Sequence, residues 1–199
     1  ARRSTGVQAR VHWKALQLNQ NASETPSNTL GMYMSKFGMG REQVMRMTAG
    51  MRQNFANVGL PYAFTDQGLV ANTIDAHRVL AWCGSPEAQD KAVEVIFRGY
   101  FAEERAPNDR ALLIEACVAA GKMDLALKVF EEVFDKRVVE PDEVVFTELI
   151  RGYLASSPPS WPRAMHTLDR MEAFDVTPGA LSYNILLAKC ADDNELERA

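Results

Sequence analysis

The side chains of this 199-residue chain that are best suited to chemistry are three cysteines and three histidines: Cys83, Cys117, Cys190, His12, His77 and His166. The cysteines lie far apart, form no Cys-x-x-Cys pair and have no histidine at a zinc-binding spacing. This pattern predicts three buried thiols. We therefore expect no catalytic residue, no metal site and no bound cofactor.

Composition excludes several functional classes. Hydrophobic residues make up 47% of the chain and charged residues 24%, which predicts a folded chain rather than a disordered one. The net charge of −4 provides no overall positive field, so strong nonspecific nucleic-acid binding is not expected, although a local basic face stays open. No apolar run approaches the roughly 18 residues that a membrane span needs. An odd number of cysteines fits a reducing compartment.

Residues 111–141 predict two short amphipathic helices joined by a tight turn. Apolar side chains recur at helical spacing on both sides of Gly121, which suits the left-handed position just past a helix end. One helix pair of this size cannot bury both of its faces. The pattern therefore predicts a repeat unit, in which neighbouring pairs cover each other.

The first half of the chain predicts one strand followed by helices. Residues 11–19, VHWKALQLN, alternate loosely between apolar and polar side chains, which is typical of a strand that needs a partner. Ser85 and Pro86 suit the start of a helix. The helices are expected at 28–37, 41–58, 72–83 and 86–103. In the second helix an apolar stripe predicts a buried face: Val44, Met47, Met51, Phe55 and Val58.

These segments, in this order, resemble the DsbA-like family of thioredoxin-fold proteins, in particular its FrnE-type branch. The motifs that carry the resemblance are VHWKALQLN, Lys36-Phe37-Gly38, Asn72-Thr73 with Ala76-His77-Arg78, and Ile96-Phe97 with Tyr100-Phe101. They cover about residues 7–121. The resemblance implies that 11–19 is one strand of a thioredoxin-like sheet and that 28–120 form the helical insertion of that fold.

This chain departs from that family at the active site. Family enzymes carry a Cys-x-x-Cys at a helix N-terminus, where the thiolate is stabilised, and later return to a strand with a cis-proline. The sequence contains no Cys-x-x-Cys, and helices follow where the return strand is expected. No residue therefore inherits a catalytic role, and we interpret His77, in the matched helix, as structural.

A second resemblance covers the rest of the chain. Pro107, Pro141 and Pro178 recur about every 35 residues, the period of helical-hairpin repeats. The stretches AGKMDLALKVFEEV and SYNILLAKC resemble the pentatricopeptide repeat family, with repeats at 107–141, 142–178 and, in part, 179–199. The resemblance implies a right-handed stack of helix pairs. Such stacks are most often organellar and most often bind single-stranded RNA.

Base choice in that family depends on a polar residue early in the first helix together with the residue that ends the repeat. Here these positions are Ala111 with Asp142, Thr147 with Gly179, and Asn184 without a partner. The candidate RNA-binding residues are therefore Thr147, Asn184 and Asp142. Ala111 and Gly179 have no side chain to bond a base edge, and two or three contacts of about 1–3 kcal/mol each are too few for specific RNA capture.

The two resemblances predict a mainly α fold. Residues 1–106 are expected to form an incomplete DsbA-like helical domain with one N-terminal strand at 11–19. Residues 107–199 are expected to form right-handed helical hairpins of the pentatricopeptide type.

The sequence leaves three functions open. We expect first a non-catalytic adaptor or scaffold of a mitochondrial or plastid assembly, such as a ribonucleoprotein, with other protein subunits and single-stranded or ribosomal RNA as partners. The alternatives are sequence-specific binding of single-stranded RNA, and a DsbA-like thiol–disulfide oxidoreductase whose active-site half lies outside this sequence. The basic start, in which Arg2, Arg3 and Arg10 precede the first acidic residue, Glu24, favours an organelle.

Overall fold

A computed structural model describes residues 10–132 and 140–192, and within them the chain is mainly helical, as expected. The helices are α1 Thr29–Phe37, α2 Arg41–Asn57, α3 Ile74–Trp82, α4 Pro86–Phe101, α5 Arg110–Ala119, α6 Met123–Phe130, α7 Glu143–Ala155, α8 Trp161–Ala173 and α9 Ala180–Asp192. Arg2, Arg3 and the end of the third expected repeat lie outside the described residues.

The strand expected at 11–19 is not formed. Residues 10–19 have neither helical nor strand structure, because the backbone of Trp13 bonds to the side chain of Gln89 instead of to a neighbouring strand. The sheet in the described residues is a short antiparallel pair, β1 (Ser27–Asn28) with β2 (Leu69–Val70). The strand predicted from the alternation along 11–19 is therefore wrong.

Local sequence signals begin and end the helices as expected. The Ser85 hydroxyl accepts a hydrogen bond from the Ala88 amide at 3.2 Å, and Pro86 occupies the first turn of α4. Gly121, with φ of +68°, makes the left-handed turn between α5 and α6. The expected helical hairpin is therefore confirmed over the described residues.

Helix α5 lies at the centre of the largest apolar core. Its side chains Leu112, Leu113 and Ile114 are fully buried, and the core around them joins residues from α3 to α8. Gly99 lets α4 approach closely, since a Cβ there would lie 2.5 Å from Leu112 Cδ1. The residues on either side of position 106 thus share one core. The predicted domain boundary at this position stays a prediction.

Three aromatic rings, packed edge-on or tilted, join the hairpins after α5. Phe130 of α6, Phe146 of α7 and Phe174, just beyond α8, pack against each other with ring centroids 5.3–5.9 Å apart. Ile150, on the same helix as Phe146, is buried against α8 together with Ala164. The repeat pattern predicts that each hairpin buries the apolar face of its neighbour, and these contacts do so.

The N-terminal helix pair is attached more loosely. Val44 is buried with Leu30 and Phe64 in a small satellite core. Met47, Met51 and Val58 are exposed, so the buried face expected over 41–58 is wrong for these three side chains. The reason is that the packing partners of α2 cover only part of its apolar stripe.

Candidate interaction site

An open groove of about 1960 Å³ lies between α3 on one side and the α5–α6 hairpin on the other. Helix α3 contributes Asp75, Arg78 and Trp82 to its lining, and the hairpin contributes Lys122 and Lys128. The described residues contain no group of histidine, cysteine or acidic side chains that could hold a metal ion. The groove thus brings acidic, basic and aromatic side chains together on one open surface.

Ion pairs fix the charged wall of this groove. Asp75 accepts a hydrogen bond from Arg78 at 2.8 Å and another from Arg110. Burial on its own would raise the pKa of Asp75, but the bonds from Arg110 and Arg78 outweigh it and hold this pKa below its usual value. The carboxylate is thus ionised and held rigidly by both guanidinium groups.

Asn108, a residue at the edge of the groove, has one polar atom without a partner. The side-chain amide of Asn108 donates to the backbone oxygen of Glu24 at 2.7 Å. Its carbonyl oxygen is buried and accepts no hydrogen bond from the described residues. A buried acceptor in this state costs about 1–3 kcal/mol of stability.

Trp82 is the large apolar side chain at the rim. It ends α3 and is 58% exposed, although tryptophan is a residue that proteins usually cover. Exposed tryptophans beside a groove are frequent anchors in protein interfaces, because they bury a large area at little entropic cost. Sequence reasoning missed Trp82, since no local pattern distinguishes an exposed tryptophan from a core one.

The three candidate RNA-binding residues occupy different environments. Asp142 is exposed and caps α7, where its carboxylate accepts from the Val145 amide at 3.1 Å. Thr147 is 1% exposed, and its hydroxyl donates to the backbone oxygens of Glu143 and Val144. Asn184 is exposed on α9. Base contact by Thr147 would require this side chain to leave the core, whereas Asn184 is already accessible.

Glu143 joins α7 to the start of α9. One of its carboxylate oxygens accepts from the Gly179 amide at 2.8 Å, from the Ser182 hydroxyl at 2.8 Å and from the Ser182 amide at 3.1 Å. The Ser182 hydroxyl, followed by the two amides, lowers the pKa of Glu143. A Cβ at Gly179 would lie 2.9 Å from this carboxylate. Gly179 is thus a packing residue rather than a base-reading one.

The arginines between α4 and α5 are already paired. Arg98 bonds to Glu115, and Arg105 bonds to Asp109 at 3.0 Å and to Glu115 at 3.1 Å. Nearby, burial raises the pKa of Glu148 although Arg151 lies 3.5 Å away. This face therefore carries balanced charge and offers no continuous positive track for phosphates.

The cysteines lie in the core, as expected. Cys83 and Cys117 are fully buried and Cys190 is 1% exposed. Burial raises the pKa of the Cys83 thiol, and burial together with Cys83 raises the pKa of Cys117 to about 12. Thiol chemistry needs an accessible thiolate, so neither Cys83 nor Cys117 is suited to it.

Comparison with known protein families identifies two matches. A family model of the DSBA-like thioredoxin domain matches residues 1–143, and a model of the pentatricopeptide repeat domain matches residues 134–193. Both predicted resemblances are confirmed. No curated protein matches the chain by sequence. Among the described residues, no helix is long and apolar enough to cross a membrane.

Proposed function

This chain belongs to the DSBA-like thioredoxin domain family, and we propose that it acts as a non-catalytic adaptor in a larger assembly of a mitochondrion or plastid. Its second match, to pentatricopeptide repeats, supports a role in protein or RNA contact. The buried thiols support a role without redox chemistry.

The observation that carries this proposal is the groove between α3 and the α5–α6 hairpin. It combines a charged wall at Asp75 with an exposed anchor at Trp82. A protein segment can supply apolar area for the indole and polar groups for the charged wall. Such a mixed, open surface suits a protein partner better than a small ligand, which needs a more enclosed site.

Affinity capture from organelle extract tests the proposal. We expect the intact chain to retain a defined partner and Trp82→Ala to lose at least about tenfold in retention, as for a central anchor. Met165→Ala is the matched control, because Met165 is an exposed apolar side chain on α8, away from the groove. Equal retention by both variants, or a monodisperse chain that retains nothing, would contradict the adaptor role.

RNA binding through the repeats is the second candidate, and the exposed position of Asn184 favours it. Binding of short single-stranded RNA at about 0.1–0.2 M salt tests it, since phosphate contacts make affinity depend on salt. Asn184→Ala should weaken binding by about 1–3 kcal/mol, whereas the exposed amide variant Asn57→Ala on α2 should not. No salt-dependent signal would exclude this candidate.

A further inference from the structure

Residues 10–18 lie on α3 and α4 in the manner of a bound peptide. The Trp13 amide donates to Gln89 Oε1 at 3.1 Å, and Gln89 Nε2 donates back to the Trp13 carbonyl at 3.3 Å. In an antiparallel sheet, two directly opposite residues exchange the same two bonds, with the N–H and the C=O of one residue both bonded to the other. The Gln89 amide therefore replaces a strand partner and binds backbone irrespective of side chain.

The Gln89 side-chain amide, here called the clamp, is held in place by the rest of the protein. Gln89 is buried, and its Nε2 also donates to the Leu80 carbonyl at 2.9 Å, which holds the amide in one orientation. Since this bond joins α4 to the chain of α3, the clamp does not depend on residues 10–18 for its position. The site is thus preorganised for an occupant.

A second set of contacts selects the indole. The Trp13 ring N–H donates to Asp90 Oδ1 at 2.9 Å, and the ring packs edge-on against Phe97 with centroids 5.6 Å apart. Beside the ring is a cavity of about 260 Å³, lined in part by His77 and Gly84. A phenylalanine cannot donate to Asp90, so this pocket prefers tryptophan.

The segment is fastened at few points. Beyond Trp13, Gln17 donates to Asn72 at 2.9 Å, and the intervening Leu16 is 72% exposed. Leu18 is 93% exposed. The segment is basic, with Arg10 and Lys14, and its binding helix carries more acidic residues (Glu87, Asp90 and Glu94) than basic ones (Lys91 and Arg98).

We propose that the cleft formed by α3 and α4 is a recognition site for a non-helical, basic peptide segment that carries tryptophan. Residues 10–18 are its resident occupant, and a partner protein's segment of the same kind takes their place. This site is separate from the groove at Trp82, so the inference goes beyond the proposed adaptor contact. A tethered occupant competes at an effective concentration of about 1 mM, so exchange depends on weakening the resident anchor.

The test uses the full chain with Trp13→Ala, which removes the resident indole and leaves Gln89 and Asp90 in place. The probe is a labelled peptide of residues 10–20, RVHWKALQLNQ, followed by fluorescence anisotropy. We expect it to bind Trp13→Ala at least about tenfold more tightly than the unaltered chain, because residues 10–18 without their indole compete less strongly for the site. The same peptide with alanine in place of tryptophan should not bind.

Two further variants separate recognition from nonspecific adhesion. Adding Gln89→Ala to Trp13→Ala should abolish peptide binding, whereas adding Gln53→Ala, an exposed glutamine on α2, should leave it unchanged. Circular dichroism confirms that each variant is folded. Equal binding to the unaltered chain and to Trp13→Ala, or retained binding after Gln89→Ala, would overturn the proposal.

Discussion

The thiol of Cys117 should be almost inert in the folded chain. Its pKa is raised to about 12 by burial and by the neighbouring Cys83. At pH 8 a thiol with this pKa is ionised in about one molecule in ten thousand, whereas an ordinary cysteine, with a pKa of about 8.5, is ionised in about a quarter. Because only the thiolate attacks disulfides, Cys117 should react about two thousand times more slowly than a free cysteine.

The assay is the release of thionitrobenzoate from Ellman's reagent at pH 8. We expect no release over minutes from the folded chain and three equivalents after unfolding in guanidinium, one for each cysteine. The folded state holds the Cys117 proton more tightly than the unfolded state does. Stability is therefore unaffected below pH 8.5 and falls as pH rises from about 8.5 towards 12.

Rapid reaction of Cys117 in the folded chain would refute this reasoning. Single alanine variants of Cys83, Cys117 and Cys190 show which thiol reacts. A fast thiol would also revive the oxidoreductase alternative, since it would supply the reactive thiolate that these buried side chains lack.

Two substitutions test the packing. Leu112→Ala, at a fully buried site facing Gly99, should lower the free energy of unfolding by about 2–5 kcal/mol in a single urea transition, whereas the exposed Leu16→Ala should change it by less than about 0.5 kcal/mol. Two separate transitions would show that no common core exists. Glu143→Gln should speed hydrogen exchange of the α9 backbone amides, because it weakens the bonds that hold the start of α9 to α7. In the unaltered chain these bonds should weaken as pH falls below about 4.3 and through the lowered pKa of Glu143, since protonation removes the charge of the carboxylate. The variant should lose this pH dependence. Unchanged exchange would contradict the capping role.

Helices were predictable because their signals lie within the segments that form them. Ser85 and Gly121 act on amides only a few residues away, so their effects can be inferred without the rest of the fold. Apolar spacing likewise indicated the α5–α6 hairpin. Side-chain caps of this kind begin α1, α4, α5 and α7.

Distant contacts were not predictable. Gln89 replaces a strand partner for Trp13 from 76 positions away, which changes a predicted strand into a clamped segment. Thr147 and Asn184 occupy equivalent positions in the repeat pattern, yet only Asn184 is exposed, because burial depends on the neighbouring helices. The sequence indicated which residues could act, and packing decides which of them are accessible.

Cross-linking from the groove tests the adaptor role most directly. A photoreactive benzoylphenylalanine is placed at Trp82 in the full chain and, as a control, at Met165, and both chains are irradiated in intact organelles. We predict one dominant protein adduct from position 82 that is missing from position 165. No adduct from position 82, or the same adducts from both positions, would contradict the proposal that this groove binds a partner.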